Sequence, residues 1–246
     1  MARLVILSGP SCIGKGPLHG ALRRFYPDLA GRLRKIVLHN SRRPRPGEVD
    51  GVDYHFRKAE QIEELRGRDG FVVLEVRGDL QALDLGELGR MLTAGEAFFE
   101  GNPFVARALQ TCPLPPGTER LSVFLSPLSG AEIAYLKAPE LHVDLPAFVA
   151  DVMRRKLLRR TQRQQAILSL KDLENIERRA SSAYGELREA RHFDHVLPNH
   201  DGEDSENWEA FYHPIGDARR VLLAFVDLLA GRVPAWAEKW DRHLLP

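Results

Sequence analysis

The chain has 246 residues, 43% apolar and 28% charged, enough for one or two domains with a packed interior and unlike a disordered or collagenous chain. Thirty-five Lys and Arg face 34 Asp and Glu, a net charge of +1, so overall charge gives no argument for a nucleic-acid or membrane binder. Two cysteines, Cys12 and Cys112, exclude a disulfide framework and a Cys-based zinc cluster. No apolar run reaches bilayer length, and motif residues begin by Gly9, which leaves no room for a signal peptide; the expectation is a soluble cytoplasmic protein.

Leu4–Leu7 reads as a buried parallel strand that ends at Ser8-Gly9-Pro10. Leu18, Leu22 and Phe25 follow at helical spacing. Further strands are expected at Lys35–Leu38, Phe71–Val76, Ala97–Glu100, Leu121–Leu125 and His195–Leu197. Helical patterns lie at Ala59–Leu65, at Leu85–Leu92 and through Ile176, Ala180, Ala183 and Leu187. This alternation predicts an α/β fold with a largely parallel sheet. Ser169 with Asp172 marks a helix start, and a C-terminal helix is expected from Asp217 to a stop at Gly231. His200–Asn207 reads as an exposed acidic loop.

Gly9-Pro10-Ser11-Cys12-Ile13-Gly14-Lys15-Gly16 fits G-x-x-x-x-G-K between strand and helix. Glycines let the backbone curl so that its N–H groups converge on phosphate oxygens; the helix N-terminus and Lys15 add positive charge. Gly16 stands where many such loops carry a Ser or Thr for Mg²⁺, and Pro17 lacks both a hydroxyl and a backbone N–H. Ser41–Phe56 is irregular, with Arg42 and Arg45 three residues apart and a hydroxyl at Tyr54, held by Pro and Gly turns. Arginine forks suit a phosphate dianion; a solvated basic loop is the alternative on charge alone.

Arg42-Arg43-Pro44-Arg45-Pro46-Gly47-Glu48-Val49-Asp50-Gly51-Val52-Asp53-Tyr54-His55-Phe56, at its distance from the phosphate loop, closely resembles the guanylate kinase motif R-x-P-R-x-G-E-V-x-G-x-D-Y-x-F. The resemblance implies a P-loop core with a nucleotide-monophosphate-binding arm and an enlarged helical lid. Divided accordingly, the chain would form core at 1–37, 96–137 and 181–246, the acceptor arm at 38–95, and a basic insert with the lid at 138–180. It also implies that Gly9, Ser11, Cys12, Ile13, Gly14, Lys15 and Gly16 hold ATP, with Asn199 near the adenine. Arg42, Arg45 and Tyr54 would grip the acceptor phosphate. Asp172–Arg179 resembles the lid helix, and Arg179 would reach the transferring phosphoryl group; with Lys15 and Arg42 it would neutralise charge during transfer. Glu100 would serve Mg²⁺ and its waters, against a structural role.

The resemblance departs in the base-reading elements. The family's G-N-Y-Y-G-T becomes Gly78-Asp79-Leu80-Gln81-Ala82-Leu83, its guanine-contacting Glu falls at Val72, and its early Ser aligns with Leu38. Its L-D-I-D strand end becomes Phe99-Glu100-Gly101-Asn102, which leaves Glu75 and Asn102 as candidate base contacts. The insert Ala138–Leu170 carries Arg154, Arg155, Lys156, Arg159, Arg160 and Arg163 and admits three readings: a solvated helix face, a lid over phosphates, or a docking patch. The function implied is ATP- and Mg²⁺-dependent phosphoryl transfer to a phosphorylated small molecule, by default GMP or dGMP. The alternatives are a non-catalytic binding or regulatory module, or a kinase for another acceptor such as a ribose phosphate. No strong nucleic-acid signal accompanies these motifs.

Overall fold

The computed structural model describes residues 2–45, 47–165 and 167–245. In chain order the elements are β1 (Arg3–Ser8), α1 (Lys15–Phe25), α2 (Pro27–Arg32), β2 (Leu33–Lys35), β3 (His39–Asn40), β4 (His55–Phe56), α3 (Ala59–Glu63) and β5 (Phe71–Val76). There follow β6 (Asp79–Asp84), α4 (Leu85–Thr93), β7 (Glu96–Gly101), α5 (Pro103–Thr111), β8 (Glu119–Ser126) and α6 (Gly130–Leu136). The last are α7 (Leu145–Gln164), α8 (Leu170–Ser181), α9 (Ala183–Arg188), β9 (His195–Pro198) and α10 (Gly216–Leu229).

Strands β2, β7, β1, β8 and β9, in that order, form an all-parallel sheet. Its central strand is apolar from Leu4 to Leu7 because helices cover both faces. Leu4 and Ile6 enter one core with Phe99, Phe124 and the inner faces of α5, α7 and α9. Val5 and Leu7 enter the other with Phe98, Val123, α1 and α10. The alternation is the two-residue period of a strand. The phosphate loop leaves the C-terminal end of β1, the usual position for ligands in such sheets.

A second sheet, ordered β4-β3-β6-β5, forms the arm and is mostly antiparallel. The expected strand at Lys35–Leu38 is instead a crossing: β2 ends at Lys35, and buried Ile36 and Leu38 carry the chain to β3 in the second sheet. Strand β6, not foreseen, pairs with β5 through a two-residue turn at Arg77 (φ +57°) and Gly78 (φ +85°). Positive φ at both turn positions matches the twist of a tight hairpin. The single helical pattern from Ile176 to Leu187 is divided into α8 and α9 at Ser182. Helix α8 starts as expected: the Ser169 hydroxyl accepts from the Asp172 N–H while the Asp172 carboxylate accepts from the Ser169 N–H. Among the described residues no helix is long and apolar enough to cross a membrane.

Candidate active site

Between the phosphate loop, the arginine loop and α8 lies a cavity of about 760 Å³. Nine Lys and Arg side chains line it against four carboxylates, so an otherwise neutral protein concentrates positive charge in one place.

The loop's geometry rests on two glycines. Gly9 has φ +143° and Gly14 φ +100°, and a Cβ on Gly14 would come within 2.7 Å of the Asn199 amide nitrogen. Cys12 adopts φ +65° in the position where a glycine is usual, and its thiol is pushed up to about 12, chiefly by burial. Lys15 donates to the carbonyls of Gly9 (2.8 Å) and Pro10 (2.7 Å), and burial lowers its pKa. Lys15 lines the cavity and has a third N–H to donate. The Ser11 hydroxyl accepts from Arg179 Nε at 3.0 Å. Ile13 is fully buried and takes part through its carbonyl. Pro17 is accommodated in the first turn of α1, where N–H groups have no helical partner.

In the arginine loop, Glu48 organises the cations. Its carboxylate accepts both arms of the Arg42 guanidinium at 2.6 Å and the Arg45 N–H at 2.8 Å. Arg42 also lies 4.9 Å above the Tyr54 ring and 5.4 Å above Phe56. Arg45 and Tyr54 line the cavity beside it. Across the cavity, Arg179 is pushed down to about 9 by loss of water and by the like charges of Arg160, Arg45 and Arg77. Guanidiniums crowded in this way favour an anion between them, because a phosphate would remove their mutual repulsion.

Arg160, unassigned from sequence, comes from α7. Its NH1 donates to Glu203 at 2.8 Å, and its Nε is a buried donor without a partner among the described residues. The reading of α7 as a solvated basic face holds for Arg155, whose side chain is 58% exposed, and is corrected for the residues that face the segment after Asn199. Lys156 (to Asp204, 3.5 Å), Arg159 (to Asp204, 2.7 Å), Arg160 and Arg163 (to Glu206, 3.1 Å) grip the acidic segment after Asn199. That segment is correspondingly not an exposed loop. Gly202 packs on the phosphate loop, where a Cβ would meet the Cys12 carbonyl at 2.3 Å, and the Glu203 N–H donates to the same carbonyl. Only helical spacing on α7 hinted at these contacts, since 156, 159, 160 and 163 share a face. Beyond Glu203 a second cavity of about 440 Å³ lies between Pro17, Arg163 and Trp208.

Of three expected contacts, one lies away from the cavity and two have their polar groups engaged by the protein. Glu75 is exposed on the face of β5 opposite Val76 and does not line the cavity. Asn102 lines it, but its oxygen caps α5 by accepting from the Phe104 N–H and its amide donates to Glu186. Asn199 is fully buried, and its amide donates to the carbonyls of Ile13 (2.7 Å) and Asp201 (2.8 Å), so it braces the phosphate loop. Glu100 sits at the end of β7, paired with His19 at 3.2 Å, and its Oε1 is 3.9 Å from a Cβ built on Gly16. A Mg²⁺ carried by nucleotide phosphates suits such a place, since that ion keeps several waters and takes one or two carboxylates. No group of three or more His, Cys, Asp or Glu suited to an all-protein metal site occurs among the described residues.

A family model described as guanylate kinase matches residues 1–76. Over 205 residues the chain is 30% identical to the guanylate kinase of a Ruegeria species, covering 82% of this chain and 79% of the relative. It is 32% identical over 202 residues to that of Frankia casuarinae, covering 80% and 89%. The solved guanylate kinase of Anaplasma phagocytophilum shares the fold, with a TM-score of 0.51 at 16% identity over 95% of this chain and 87% of that one. The chain therefore belongs to the guanylate kinase family and is a phosphotransferase of the nucleoside monophosphate kinase type.

Proposed function

We propose that the chain transfers the γ-phosphoryl group of ATP, accompanied by Mg²⁺, to a phosphate oxygen of a phosphorylated small molecule held under the arm. GMP, the acceptor implied by the relatives' name, is the reference substrate. One observation carries this reading: Arg45, Arg160 and Arg179 converge with Lys15 on a single cavity between the two loops.

The β- and γ-phosphates would rest on the loop N–H groups and Lys15, and the donor base would occupy the 440 Å³ cavity between Pro17 and Trp208. Glu100 fits Mg²⁺ and its waters; bound there, the ion would supply charge neutralisation at the donor phosphates. The acceptor phosphate would be held by Arg45 and Tyr54, with Arg42 fixed beside them by Glu48. Arg179, bonded to Ser11 of the phosphate loop, would stabilise the charge that spreads over the γ-phosphoryl oxygens. Transfer to a dianionic acceptor phosphate needs no general base, because the attacking oxygen carries no proton.

Coupled ADP release with MgATP and GMP tests the reading. Arg179→Ala is expected to lower kcat by about a thousandfold while ATP still binds. ATP binding with no acceptor-dependent ADP release by the unmodified protein would refute it in favour of a binding module.

A further inference from the structure

We propose that Arg77, at the tip of the β5–β6 hairpin, is a ligand of the acceptor phosphate, held in place by the buried carboxylate of Glu186; this rests on the phosphotransferase reading above. Arg77 takes the first position of the two-residue turn at φ +57°. An Asn or Gly would close such a turn at lower cost, so the turn itself gives no reason for an arginine.

The side chain leaves the arm and crosses to α9. Its Nε donates to the Ser182 hydroxyl at 3.1 Å and to Glu186 Oε1 at 2.8 Å, and its NH2 donates to the same carboxylate oxygen. Asn102 Nδ2 donates to that oxygen as well, at 3.1 Å, and Glu186 is fully buried. A guanidinium is a flat fork of five donors, so fixing its Nε edge also fixes the direction of NH1. NH1 has no partner among the described residues, and Arg77 lines the main cavity. A tie between arm and α9 would not need this pair: burying two charges is costly, and apolar side chains of similar volume join two surfaces at least as well. What the pair adds is a rigid cationic donor at the cavity wall.

The anchoring of the hairpin assigns that donor to the acceptor. The Leu80 N–H donates to the Ser41 hydroxyl at 2.8 Å, and the Leu80 carbonyl accepts from the Ser41 N–H at 2.9 Å. Ser41 immediately precedes the arginine loop, so Arg77 and Arg45 belong to the arm's side of the cavity. Within that loop both arms of Arg42 are taken by Glu48, which leaves Arg45 and Tyr54 to meet three terminal phosphate oxygens. NH1 of Arg77 supplies a further charge-assisted donor for them.

The test uses the full chain with MgATP and takes as acceptor the fastest of GMP, AMP, CMP and UMP. It compares the unmodified protein with Arg77→Lys and with a double variant, Arg77→Met with Glu186→Gln. Lysine keeps a charge beside Glu186 but lacks the fork that meets carboxylate and phosphate from two edges, and the double variant leaves no charge of the pair unpartnered. ADP release gives KM and kcat, and ATP titration gives affinity for the donor. Both variants are expected to raise KM for the acceptor tenfold or more, by a larger factor than any fall in kcat, with ATP affinity within threefold of the unmodified protein. A smaller rise in KM for either variant overturns the inference, as does a rise matched by the loss of kcat or accompanied by weaker ATP binding. Each of these leaves Arg77 as a tie between arm and α9 and the phosphotransferase standing. No acceptor-dependent ADP release by the unmodified protein overturns the phosphotransferase reading and the inference with it.

Discussion

Gly14 and Gly16 flank Lys15 and are interchangeable in composition, yet their surroundings predict opposite responses to one added methyl. At Gly14 the backbone is at φ +100°, ψ 15°, where an L side chain costs about 1–2 kcal/mol. A Cβ there would also sit 2.7 Å from Asn199 Nδ2, 3.0 Å from the Asp201 carbonyl oxygen and 3.1 Å from Trp208 Cζ2. Overpacking of that kind adds about 1–3 kcal/mol, and two of the three neighbours belong to the braced segment 199–201 and cannot retreat cheaply. The sum for Gly14→Ala is about 3 kcal/mol, or a fall in Tm of about 6–12 °C for a chain of this size. At Gly16 the nearest atom is Glu100 Oε1 at 3.9 Å, ordinary contact, and the residue lies within the first turn of α1. Gly16→Ala should be neutral or stabilising by about 0.5 kcal/mol, since alanine loses less backbone entropy in a helix. Thermal and urea unfolding of both variants, with ATP titration of each, provides the check. Equal midpoints for the two would refute the loop geometry described here.

The Cys12 thiol, pushed up to about 12 and buried, should resist iodoacetamide at pH 8 in the native protein and react only on unfolding; rapid labelling seen by mass spectrometry would contradict its placement. Glu186 is fully buried, pairs with Arg77 and accepts from Asn102 and Ser182, so Glu186→Ala should cost about 3 kcal/mol in urea unfolding by leaving the Arg77 charge unpaired. Burial disfavours the charged form of His200, but Asp217 (2.5 Å) and Glu132 (2.9 Å) outweigh it and raise its pKa. A raised pKa contributes stability that is complete below the unfolded value, about 6.5, and is lost as pH climbs through the folded value. Tm should therefore fall on moving from slightly acidic to alkaline pH, and His200→Asn should flatten that slope.

The parts of the site legible in the sequence are those where local backbone geometry restricts the residue type. Gly9 and Gly14 are needed for positive φ, and the Pro and Gly turns around Arg42, Arg45 and Tyr54 fix a loop that carries its own anchor, Glu48, six residues from Arg42. Strand β1 declared itself because both its faces are covered. Strand β6 did not, since Asp79–Asp84 mixes polar and apolar residues and is held by pairing with β5 and β3. Arg160 and the segment after Asn199 were illegible for a related reason. Arg160 and Glu203 are 43 residues apart, and neither a basic helix nor an acidic loop reveals its partner until tertiary packing fixes the register. Asn102 and Asn199 show the converse: each occupies the position a family pattern assigns, while its hydrogen bonds are spent on a helix cap and on the phosphate loop.

The cations of the cavity fall into two groups, and this ordering bears on which of them meet substrate. Arg42 is paired with Glu48, Arg77 with Glu186 and Arg160 with Glu203. Arg45 and Arg179 have no carboxylate partner among the described residues, and Arg179 is bonded to the neutral hydroxyl of Ser11. Paired arginines are held in position before any ligand arrives, which limits the side-chain entropy lost on binding. Unpaired ones carry an electrostatic strain that a phosphate relieves, so the larger gain on binding an anion belongs to Arg45 and Arg179. Arg160 lies between the groups. Its carboxylate partner stands on the wall shared by the two cavities, and its buried Nε lacks an acceptor among the described residues. The site is thus preorganised where carboxylates pair its arginines and left charged at the unpaired ones, a distribution suited to a reaction in which negative charge concentrates on the group passing between two bound phosphates.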